Sequence, residues 1–76
     1  MEEGNGMDKL EELAAELEPM VDEHGMAEVL ESLAMVAALK EDHVATNWGD
    51  RELARSWKRV ASRIRQAAHA AGQERL

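Results

Sequence analysis

The sequence predicts an all-α fold, an antiparallel helical hairpin preceded by a short acidic helix, with the hairpin pairing with a second copy into a four-helix-bundle-like core. Three observations lead there. The apolar residues are aliphatic, mainly Ala, Leu, Val and Met, with Trp48 and Trp57 the only aromatics, a composition that favours helices over strands. They recur at spacings of three and four along three segments, the signature of one helix face. A chain of 76 residues without cysteine is marginal alone and has no disulfide to help it, which leaves oligomerisation as the stabiliser.

The first helix is expected over about residues 8–24, where Leu10, Leu13, Ala14, Leu17 and Val21 form the apolar stripe. Residues 1–6, acidic and glycine-rich, read as a flexible tail before a single domain over 7–76. Pro19 lacks a backbone donor and its ring clashes with the carbonyl four residues back, so a break or restart is expected near it. Gly25 after His24 suits a helix end.

The second helix is predicted over 26–47, with Met26, Val29, Leu30, Leu33, Val36, Ala37, Val44 and Trp48 on its inner face. Met35 and Leu39 fall nearly opposite that stripe. They read either as tolerated surface aliphatics or as a second contact surface. With Val36 and His43 they make the candidate self-association surface.

Asn47-Trp48-Gly49-Asp50 is the clearest local signal. Glycine closes one helix in the left-handed region, and aspartate caps the next through its side chain. The third helix, over about 50–71 and ending near Gly72, carries Leu53, Trp57, Val60, Ala61, Ile64, Ala67, Ala68 and Ala71 on one stripe. Two long helices joined by so short a turn pack antiparallel, and both tryptophans are expected inside, near the turn.

The net charge of -7 is unevenly spread: residues 1–46 hold thirteen acids and two bases, residues 47–76 seven bases and three acids. Arg51, Arg55, Lys58, Arg59 and Arg65 share the outer stripe of the third helix, where arginine suits phosphate or an acidic partner. The plainer reading pairs them with Glu11, Glu12, Glu16 or Glu18 of the first helix. An acidic protein repels nucleic acid at long range, and no aromatic stands among these bases to stack on one.

No catalytic, cofactor or metal site is expected. His24, His43 and His69 follow Val21, Lys40 and Gln66 by three residues, so none has the facing Glu of a di-iron helix. In Asp22-Glu23-His24 and Glu41-Asp42-His43 neighbouring side chains point about 100° apart on a helix. Ser32, Ser56 and Ser62 lie within helices without an activating base. No apolar run is long enough for a membrane span and no basic, apolar leader begins the chain, so a cytoplasmic, non-enzymatic protein is expected.

Val21-Asp22-Glu23-His24-Gly25, then Val29-Leu30, Asn47-Trp48-Gly49-Asp50 and Trp57 give residues 20–68 a pattern that resembles small bacterial helical proteins without an assigned activity. That resemblance implies no ligand. The expected architecture is also similar to the dimeric hairpin of the Rop RNA-binding protein, a likeness of fold that does not fix function. The expected role is a homodimeric interaction or regulatory protein contacting a further protein through its first helix or the Met35 and Leu39 surface. The alternative is a nucleic-acid accessory protein using the third helix.

Overall fold

A one-residue junction and a tight turn divide the chain, in the computed structural model, into α1 (Glu2–His24), α2 (Met26–His43) and α3 (Arg51–Gln73), with a π turn over Val44–Trp48 completing α2. The structure describes residues 8–76 in full and residues 2–7 only as part of α1. The tail expected over residues 1–6 therefore lies outside the fully described residues.

The hairpin is held by an alanine seam. Its buried residues are Ala34, Ala37 and Val44 from one arm and Ala54, Ala61, Ala68 and Ala71 from the other, joined by half-buried Ala27, Leu30, Glu41, Trp57 and Ile64. Both sets alternate steps of three and four, the spacing of a two-helix coiled-coil seam. They also match in register, since Val44 and Ala54, Glu41 and Trp57, Ala37 and Ala61, Ala34 and Ile64, Leu30 and Ala68, and Ala27 and Ala71 lie equal distances either side of Gly49. Each large residue but Trp57 thus faces an alanine, which allows the helices to approach at the short end of the usual ~8–10 Å range.

This corrects the expected inner face of α2. Leu33 and Val36 are exposed, and alanines take the seam, because only small side chains let two helices approach along their whole length.

Local chemistry fixes the hairpin ends. Gly49 closes the π turn at φ 65, and the Asp50 side chain accepts the Leu53 N–H at 3.0 Å. At the other end α3 runs on through Gly72, and Arg75 takes the left-handed conformation at φ 64. There Arg75 N–H donates to the Gly72 carbonyl and Leu76 N–H to the Ala71 carbonyl, the paired bonds of a Schellman ending. The extra turn brings the Leu76 backbone oxygen within 3.2 Å of Ala27 N. It supplies a partner to one of the first N–H groups of α2, whose N-cap, Gly25, offers no side chain.

The expected break in α1 is absent. The helix passes through Pro19 unbroken, since Ala15 and Pro19 are both exposed and water can reach the carbonyl that the proline leaves unpaired. Among the described residues α1 touches α2 near their junction and makes no contact with α3, so nothing there pairs Glu11, Glu12, Glu16 or Glu18 with the bases of α3. A single residue, Gly25, separates α1 from α2, whereas helix–helix connections that fold back usually take about 2–8 residues.

The molecule is consequently flat, 41 × 37 × 16 Å. Its radius of gyration of 14.8 Å exceeds the about 11 Å of a compact domain this long.

Candidate self-association face

Position on the seam decides what the hairpin shows to solvent. In antiparallel helices the residues one step before each seam position lie on the same side of the pair. On α2 these are Met26, Val29, Leu33, Val36, Lys40 and His43; on α3 they are Leu53, Ser56, Val60, Arg63, Ala67 and Ala70. Val29 and Ser56 are half-buried and the others exposed, so away from the turn this side of the hairpin is a largely apolar face, bordered by Lys40, His43, Ser56 and Arg63.

The face ends in a cleft on the α2 side. Leu17 and Met20 of α1 stand across from Val29, Leu33 and Val36 around a space of about 530 Å³, with His24, Glu28 and Ser32 completing its wall. His24 Nδ1 lies 3.5 Å from Glu28 Oε1, a contact bridging the junction at Gly25. On the α3 side the border is charged: Val60 shares a shallow depression with Ser56, Arg59 and Arg63.

The expected association residues separate. Val36, Leu39 and His43 line one depression beside the π turn, whereas Met35 lies in another with Glu31, Arg65 and His69. His43 is engaged within its own chain: Asn47 Nδ2 donates to its Nδ1 at 2.8 Å, and its ring meets the Trp48 edge with centroids 6.0 Å apart. Trp48 is 69% exposed, a correction to its expected place in the core, because the π turn carries it past the last seam layer. Trp57 is half-buried at the seam.

Arg51, Arg55, Lys58, Arg59 and Arg65 are all exposed along α3, and among the described residues no ion pair joins them to α1. Arg59 Nη2 donates to Ser56 Oγ at 3.2 Å. Sequence reasoning passed over Arg63, which borders the apolar face; its place one step before Ile64 was the available signal. Among the described residues no group of three or more His, Asp or Glu side chains is placed to hold a metal ion, and no helix is long and apolar enough to cross a membrane.

Fold and face define a class, an all-α helical hairpin with a divergent acidic helix and one uncovered apolar side. No protein-family model, no curated protein and no solved structure matches the chain.

Proposed function

We propose that the chain is a non-enzymatic helical interaction protein that works as a homodimer, the apolar face of each hairpin covered by that of a second copy. The largely apolar face made by Met26, Val29, Leu33, Val36 and Val60, beside a seam in which alanines predominate, carries the reading. The surface area supports it. The chain exposes 6233 Å², whereas a folded monomer of its mass exposes about 4,650 Å². That surplus is about twice the ~800 Å² each partner gives to a standard interface, so the second copy has ample surface to cover.

In this reading the dimer is the working unit, and its outward charged surfaces, α1 and the outer stripe of α3, meet a partner protein. Leu33→Glu with Val60→Glu tests the face. Light scattering on a sizing column is expected to give twice the 8.5 kDa chain mass for the parent and the single-chain mass for the double variant. A parent at the single-chain mass at high concentration sinks the proposal. The exposed arginines of α3 give weaker support to a nucleic-acid role, which requires a salt-dependent gel shift lost in Arg55→Glu/Arg59→Glu.

A further inference from the structure

Two hairpins laid face to face about a two-fold axis can meet in two ways. With the axis across the helices, α2 lies on α2 and α3 on α3, and the Gly49 turns fall at opposite ends. With the axis along them, each α2 lies on the other copy's α3 and the turns fall together. Charge separates the two. On the side of the apolar face α1 carries Glu16 and Glu23, and α3 carries Arg59 and Arg63 around Val60. The first arrangement sets each α1 beside the other copy's α1, acid on acid; the second sets each α1 beside the other copy's α3, acid on base, the complementarity that fixes register at interfaces.

Resting on the dimeric reading above, we infer that the cleft between α1 and α2 receives α3 of the second copy, both turns lying at one end. The cleft fits that occupant. Its inner wall is apolar, formed by Leu17, Met20, Val29, Leu33 and Val36, and takes the Leu53 and Val60 side of α3. The rim is acidic, because Glu16 and Glu23 lie one turn to either side of Met20 on α1 and both are exposed. Val60 is bordered by Arg59 and Arg63, on the edge of α3 away from its own α2. Seating Val60 of the second copy in the cleft points Arg59 and Arg63 of that copy at α1.

The same placement accounts for the divergence of α1. The outer part of its stripe is uncovered, Leu10 being 64% and Leu13 52% exposed, and among the described residues its acids form no ion pair with the bases of α3. From residue 8 onward α1 holds seven acids against Lys9, and α3 of a second copy lying alongside supplies both apolar cover and opposite charge.

Absence of native cysteine makes single-site labelling direct. A nitroxide on Trp48→Cys, an exposed turn position, is expected to give an inter-subunit distance below about 20 Å, because turns at opposite ends stand a hairpin length apart, about 34 Å for 23 residues. The longer distance overturns this arrangement and leaves the dimer standing. No dipolar coupling in a folded sample removes the dimer itself. As a second measurement, Arg59→Glu/Arg63→Glu is expected to weaken dimerisation at least tenfold, with Glu16→Lys/Glu23→Lys in the same chain restoring it. An unaltered affinity, or no restoration, overturns the inference.

Discussion

Replacing Ala61 by leucine tests the close approach of the two long helices. Ala61 is 2% exposed and Ala37, equally far from Gly49 on the facing helix, is 3% exposed. Leucine adds three carbons where two methyl groups already meet, and overpacking of this kind costs about 1–3 kcal/mol. For a domain this size each kcal/mol moves the melting midpoint by about 4–8 °C, so a cost of about 2 kcal/mol lowers it by about 8–16 °C. Ser62→Leu is the control. Its parent residue is one step away, exposed and on the side of α3 away from the apolar face, and substitutions at such sites usually stay within about 0.5 kcal/mol. The assay is thermal unfolding followed by circular dichroism at one protein concentration, with both variants beside the parent. Equal shifts in the two, or a higher midpoint for Ala61→Leu, would refute the alanine seam.

Three further substitutions probe the ends of the helices. Asp50→Ala removes the cap on Leu53 N–H and should lower stability by about 1 kcal/mol in denaturant titration. Gly72→Ala should raise it by about 0.5–1 kcal/mol, because the position is helical and a Cβ there meets only the Ala27 methyl, in ordinary contact at 3.9 Å. Pro19→Ala should raise the helical signal at low temperature, because it gives the Ala15 carbonyl back its N–H partner; an unchanged signal would show that the proline costs α1 nothing.

The parts of the fold legible in the sequence are those set by local chemistry. Gly49 and Asp50 announce a turn because one tolerates the left-handed region and the other caps a helix, and the basic outer stripe of α3 follows from helical period alone. The inner face of α2 was not legible by hydrophobicity. Met26, Val29, Leu33 and Val36 outweigh Ala27, Ala34 and Ala37 on any apolar scale, yet the smaller set takes the seam because the facing helix offers Ala54, Ala61 and Ala68 in matching register. That match about Gly49 was present in the sequence, but it appears only when both helices are read together. Gly72 was the natural stop for α3. The ending at Arg75 depends on the bond from Ala27 to Leu76, a contact between residues far apart in the chain. The exposed apolar face followed the same logic: its bulky residues are apolar in the sequence, and the alanine seam beside them turns them outward.

If a second copy covers the hairpin's apolar face, as proposed above, unfolding depends on protein concentration. A hundredfold change in concentration alters a dimer's stability by about 2.7 kcal/mol, which for two chains together moves the midpoint by about 5–11 °C. The midpoint is expected to rise by that amount from dilute to concentrated protein. A midpoint that stays fixed across the same range would contradict the proposal.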